Sequence, residues 1–212
     1  MKPERTHFTS TEWSIIQKHR TPKQVQQYLR SLSYNREEEG ETVLSFRQVV
    51  RGKKVHCLEA ALVAAVILEQ HGYPPLLMSF ESVDNLDHVI YVYKAETGWG
   101  SIGRSRDAGL HGRKPIFRSA RDLALSYVEP YIDYTGRITA FGVADLEELG
   151  QYDWRFAKTK LSKVENFLVE YPHNPIKSSD RRYEQLRKRY AEFRGRYPKR
   201  QATYFDNIDT WS

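Results

Sequence analysis

Apolar residues run unbroken from Ala60 to Leu68. A segment with no wide polar face predicts a helix buried inside a globular core, spanning Leu58 to His71. Gly72 supplies its C′ stop, and Pro74-Pro75 prevents continuation. The pattern then changes. Leu76 to Phe80 reads as a strand and Ser82 to Asp87 as a polar turn. His88-Val89-Ile90-Tyr91-Val92-Tyr93 reads as a β-branched and aromatic strand, apolar on both faces after His88. Lys94 to Gly98 predicts a turn and Trp99 to Ile102 a third strand. A helix followed by an antiparallel meander is an α+β pattern.

Flanking signals extend this core. Thr21 is an N-cap and Pro22 a first helical residue, with Val25, Tyr28, Leu29 and Leu32 recurring at helical spacing. Asn35 to Glu41 reads as an acidic loop, and Thr42 to Val50 fits a short helix or an irregular arm equally. Val49 to His56 is strand-like and basic. Gly103 to Arg118 predicts a Gly- and Arg-rich loop. Ser119 to Asp122 resembles a capping box before a helix over Leu123 to Val128, and Arg137 to Leu146 holds a further strand. Leu161, Val164, Phe167 and Leu168 share one helical face, as do Tyr183, Leu186, Tyr190 and Phe193. The expected organisation is an α+β core with an N-terminal helical arm over 1–150. A C-terminal helical extension over 151–212, with a basic helix at 179–196, packs on that core.

A chain of 212 residues supplies one sizeable core. Ala60 to Leu68 is too short to cross a bilayer, so no membrane association is expected. Met1 to Arg5 leads into no apolar signal segment. A single cysteine forms no internal disulfide, which fits a reducing compartment, and a cytoplasmic location is expected. The net charge of +6 is uneven: Ile176 to Arg200 holds ten Lys/Arg against three Asp/Glu. Arg181, Arg182, Arg187, Lys188, Arg189 and Arg194 lie between aromatics there, a pattern compatible with a nucleic-acid footprint through 179–200. The apolar face of the same segment equally predicts a helix docked on the body with its charges in water. No CxxC or HExxH spacing occurs, so neither a metal nor another cofactor is expected.

The candidate chemistry centres on Cys57, on the first turn of the long helix. The positive end of a helix dipole favours thiolate over thiol, and Lys53, Lys54 and a histidine would reinforce it. An inert core thiol is the competing reading. His88, opening its strand, is a candidate base, against a strand-end histidine bonded to a backbone carbonyl. His7 and His19 fall outside the expected core, and His56 is expected to point away from Cys57. Arg104, Arg106, Arg113, Lys114 and Arg118 crowd the loop after the third strand. They would bind an anionic substrate group or lie solvated.

Cys57, the helix Leu58 to His71, Gly72-Tyr73-Pro74, His88 and Trp99 follow one another in an order that resembles the transglutaminase-like superfamily, within the papain-like cysteine-peptidase fold. Tyr34-Asn35-Arg36-Glu37, His56 to Ala60, Asp87-His88-Val89, Trp99 to Ile102 and Leu123 to Tyr127 resemble a bacterial branch of it. The resemblance implies a helix bearing Cys57 packed on an antiparallel sheet bearing His88. It also implies a Cys-His-Asp triad acting on peptide-type amides by hydrolysis or acyl transfer. The chain departs from that pattern at one place: Gly103 stands where the family's Asp would, and a hairpin centred near Ala95-Glu96 puts His88 opposite Gly103 or Arg104. Asp107 is the nearest downstream acid, Ser105 a weaker orienter, and Asp84 and Asp87 lie in the preceding turn. The missing acid leaves a second expectation, a non-catalytic binding protein on the same fold.

Overall fold

The computed structural model describes residues 2–38, 40–84 and 88–212. The chain opens with helices α1 (Ser10–Lys18) and α2 (Pro22–Ser31), each started by a reciprocal capping box. Thr21 accepts from the Gln24 N–H, and Pro22 occupies the first turn, as its fixed φ favours. Strand β1 (Ser33–Tyr34) pairs in parallel with β2 (Lys54–Val55) across helix α3 (Phe46–Gly52). The segment 42–50 therefore resolves into extended chain and a short helix capped by Ser45, and Val49 to Gly52 is helical rather than strand-like.

Helix α4 (Cys57–Glu69) is buried from Leu58 to Glu69 on every side. It packs on α1, α2 and α3 and on two strands of the main sheet. Each fully buried Leu or Ile on it contributes about 1.5–3 kcal/mol by leaving water. Gly72, at φ +90°, turns the chain out of the helix in a conformation that disfavours a side chain.

The main sheet is antiparallel and six-stranded. Strands β3 (Leu76–Ser82), β4 (His88–Ala95), β5 (Gly98–Ile102) and β6 (Arg113–Phe117) form a meander. Helix α5 (Ala120–Val128) follows, started by the Ser119 cap. Strand β7 (Ile138–Asp145) then joins the free edge of β3, giving the order β6-β5-β4-β3-β7-β8. Helix α6 (Ser162–Glu170), the two-residue β8 (Asn174–Pro175) and helix α7 (Asp180–Arg196) complete the chain. Asp87 lies outside the described residues.

Both faces of the sheet are covered, which explains the two-sided apolar strand. Leu77, Val89, Tyr91 and Tyr93 pack with α4, while Met78, Phe80, Ile90 and Val92 pack with Leu123, Ala124 and Tyr127 of α5. The segment expected as a loop, 103–118, contains β6. It is an edge strand interrupted by a bulge against β5 and carrying Pro115, an arrangement that edges tolerate. The hairpin also turns one residue later than expected. Ala95 pairs with Gly98 and Tyr91 with Ile102, so continuation of the register sets Gly103 opposite Ile90 and Ser105 opposite His88.

Candidate active site

His56 caps α4. It occupies extended backbone, and its own N–H donates to Glu59 Oε2 at 2.9 Å. The Glu59 carboxylate is fully buried. It also accepts from Thr42 Oγ1 (2.8 Å), the Leu44 N–H (3.1 Å) and Asn35 Nδ2 (3.2 Å). One carboxylate thus fastens the 35–44 arm to the first turn of α4 and fixes the wall beside Cys57. Buried anions persist where donors satisfy them in this way.

The same cap sets the His56 ring. Its Nε2–H donates to the Thr42 carbonyl at 2.8 Å, with Glu59 Oε1 at 3.5 Å and Glu37 Oε1 at 3.7 Å from that nitrogen. Nδ1 accepts the Leu58 N–H at 3.2 Å. His56 is nonetheless one of the groups that lower the Cys57 thiol, contrary to the expectation that it points elsewhere. Alternation along an extended backbone fails at an N-cap, where the side chain folds back over the first turn.

Cys57 is partly exposed and opens on a cleft of about 940 Å³. The arm, the start of α4, the 105–110 loop, α6, α7 and the segment near Phe205 form its walls. Burial alone would raise the thiol pKa. Hydrogen bonds from His56 and His88, with the positive charge of both rings, outweigh it and lower the thiol to about 5. Burial likewise opposes the charged form of His56. Hydrogen bonding and charge attraction to Cys57, then the Glu59 carboxylate, raise it to about 9. Lys53 and Lys54 are exposed; the cations acting on the sulfur are the two imidazoles.

His88 is buried, stacked on Phe80 (ring centroids 6.0 Å) and tilted against Tyr127 (6.1 Å). Its Nε2–H donates to the backbone carbonyl of Leu110 at 3.0 Å. This selects the tautomer with Nδ1 free for the sulfur. The orienting group expected from Asp107 is therefore a carbonyl. The Asp107 carboxylate is taken up by Arg106 NH2 at 3.1 Å, with Arg194 NH2 at 3.8 Å. Ser105 accepts the Asp107 N–H at 3.4 Å, and Asp84 bonds Ser82 and Thr135. Gly103 explains the substitution. A Cβ there would stand 2.9 Å from Ile90 Cγ2 and 3.3 Å from the Leu110 oxygen, so the missing side chain makes room for the carbonyl.

The basic loop separates on folding. Arg106 lines the cleft, Arg104 lies 5.9 Å over the Tyr34 ring, and Lys114 donates to the Asp209 carbonyl. Arg118 is exposed and Arg113 is fully buried. On α7, Arg189 turns inward to Glu129 (2.9 Å), and Tyr190 and Arg194 line the cleft, while Arg181, Arg182, Arg187 and Lys188 remain exposed. Among the described residues, no three His, Cys, Asp or Glu side chains gather as metal ligands, and no helix is long and apolar enough to cross a membrane. A cysteine whose thiol pKa is lowered by two imidazoles, lining an open cleft with them, can attack an electrophilic carbon, and an imidazole can then protonate the leaving group. A scan against protein-family models and a search of curated proteins find no match to this chain.

Proposed function

We propose that the protein is a cysteine-nucleophile hydrolase or acyltransferase of transglutaminase-like type, acting on a peptide-type amide. The observation that carries this reading is that the partly exposed Cys57 lines one cleft with His56 and His88, whose imidazoles lower its thiol pKa, while the Leu110 carbonyl holds the His88 ring. An inert binding protein has no use for a stabilised thiolate opening on solvent, which counts against the non-catalytic alternative.

His88 Nδ1 takes the Cys57 thiol proton, the resulting thiolate attacks the amide carbonyl carbon, and the oxyanion that forms is met by backbone N–H groups in the first turn of α4. The C–N bond breaks as His88 delivers its Nδ1 proton to the departing amine, leaving a thioester. Water or a second amine attacks that thioester, His88 takes the incoming proton, and the thiolate is released. Hydrogen bonding to Leu110 keeps His88 in the tautomer these transfers need. His56 holds the thiolate in the resting state.

The test is to incubate the protein with a library of glutamine- and asparagine-containing peptides, quench with acid, and weigh the intact protein. The reading predicts an acyl adduct on Cys57, discharged by hydroxylamine and absent in Cys57→Ala. No adduct with any peptide, together with a thiol as unreactive as free cysteine, would overturn it.

A further inference from the structure

Arg113 opens β6 and is fully buried, yet its acceptors are all neutral. NH2 donates to the Gly109 carbonyl at 2.6 Å and the Ser126 carbonyl at 3.3 Å. NH1 donates to the His111 carbonyl at 2.9 Å, and Nε to Ser126 Oγ at 3.2 Å. Its carbon CZ sits 4.0 Å from the centroid of the Tyr127 ring and 5.4 Å from that of Trp211. A buried cation without a carboxylate is costly, and a hydrophobic residue of similar volume would fill the same space more cheaply. What the guanidinium provides, and an apolar side chain would not, is a fixed fork of donors.

That fork grips the two carbonyls that flank Leu110. Gly109 and His111 turn their oxygens to Arg113, and Tyr127 Oη adds a second donor to His111 at 2.8 Å. The carbonyl between them is left to face the other way, onto His88 Nε2. The short 3-10 turn Ala108–Leu110 closes the segment through the Leu110 N–H to Asp107 O at 3.0 Å. Arg113's own N–H is tied to Ser101 Oγ, which meets Tyr127 Oη at 2.7 Å. The fork therefore stands on β5 and α5, both rigid elements. His111 does not compete as a cation: burial, then the charge of Arg104, lowers it to about 4.

We infer that Arg113 is a positioning residue of the Cys57 site: by clamping the carbonyls of Gly109 and His111, it aims the Leu110 carbonyl at His88 and so does the work of the missing triad carboxylate. The inference rests on the proposed function for its chemistry. It makes Arg113, Leu110 and Gly103 one device, with the guanidinium setting the carbonyl's direction and the glycine leaving room for it.

Two variants act on the carbonyl from opposite sides. Arg113→Met removes the fork, and Gly103→Ala places a methyl group against the Leu110 oxygen without touching Arg113. Two readouts apply to the full chain, with circular dichroism as the fold control. One is the iodoacetamide rate of Cys57 against pH; the other is the ring 15N shifts of His88, which report its tautomer. Both variants are expected to slow alkylation at pH 6 by roughly ten-fold, the effect of a one-unit rise in the thiol pKa, to shift its midpoint upward and to mix the His88 tautomers. Folded variants with wild-type rate, midpoint and tautomer would overturn the inference while leaving the Cys57 reading intact. If Arg113→Met fails to fold, Arg113→Lys, which keeps the charge but loses the two-pronged fork, is read in its place. An ordinary thiol midpoint in the wild type would instead sink the Cys57 reading, and this inference with it.

Discussion

His88 Nε2 and the carbonyl oxygen of Leu110 stand 3.0 Å apart, so the imidazole is oriented by backbone rather than by a side-chain acid. A carbonyl fixes the tautomer as a carboxylate does, but it brings no full charge to stabilise the imidazolium. Replacing His88 with Ala should slow alkylation of Cys57 by at least roughly ten-fold at pH 6, where an unassisted thiol is almost wholly protonated. At pH 9 the loss should shrink, because the thiol ionises there without help. A deficit equal at both pH values would mean that His88 acts through structure alone.

His56 has one task in each protonation state, and two substitutions separate them: neutral, its Nδ1 accepts the Leu58 N–H; protonated, it stabilises the Cys57 thiolate. Asn at an N-cap accepts the first-turn N–H as well as any residue but carries no positive charge. His56→Asn should leave the urea midpoint near wild type while raising the thiol pKa. His56→Ala should raise the thiol pKa similarly and also lose about 1 kcal/mol of stability from the cap. A thiol pKa unchanged in both variants would remove His56 from the site.

Glu59 joins the arm to the helix that begins at Cys57 through buried donors from Asn35, Thr42, Leu44 and His56. Each donor orphaned in the interior costs about 1–3 kcal/mol. Glu59→Ala should therefore lower stability by about 3 kcal/mol or more in urea unfolding. Glu59→Gln, which keeps one oxygen, should lose less. Protease nicking within 35–44 should rise in both. An unchanged urea midpoint in Glu59→Ala would contradict this account of the arm.

The buried elements were legible because their signals are local. Ala60 to Leu68 marks α4, Gly72 marks its end, and the β-branched run after His88 marks a strand covered on both faces. The edge strand β6 was hidden by Pro115 and by charged residues, and β1 and β2 are too short to carry a period. Helix α1 shows only Trp13, Ile15 and Ile16 as apolar residues, too few for its pattern to stand out. At the site, the sequence order pointed to Cys57 and His88. Leu110 was invisible, because a backbone acceptor leaves no mark in the side chains. The role of His56 is hidden in the sequence because neighbours on extended chain usually face apart. The hairpin's one-residue shift moved Gly103 from beside His88 to beside Ile90, which turned an apparently empty place into room for the carbonyl.

Arg155 forms a two-point ion pair with Glu69, at 2.8 and 2.7 Å, where α4 ends, and its guanidinium lies 4.1 Å from the Trp154 ring centroid. Glu69 is buried, and desolvation raises its carboxyl despite the arginine. Removing Arg155 strands that carboxylate, so Arg155→Ala should cost about 3–5 kcal/mol. The double variant Glu69→Gln, Arg155→Met should recover much of that loss, as thermal or urea unfolding will show. A double variant as unstable as Arg155→Ala would mean that the pair, not the stranded charge, supplies the energy.

If Cys57 rests as a thiolate, the second-order alkylation rate of the wild-type protein by iodoacetamide between pH 4 and 9, with mass spectrometry assigning the adduct, shows it most directly. The depressed thiol deprotonates as pH rises through about 5, so the rate should climb there and stay level through neutrality. A rate that remains low at neutral pH and climbs only near pH 8.5, as for a free cysteine, would contradict the account.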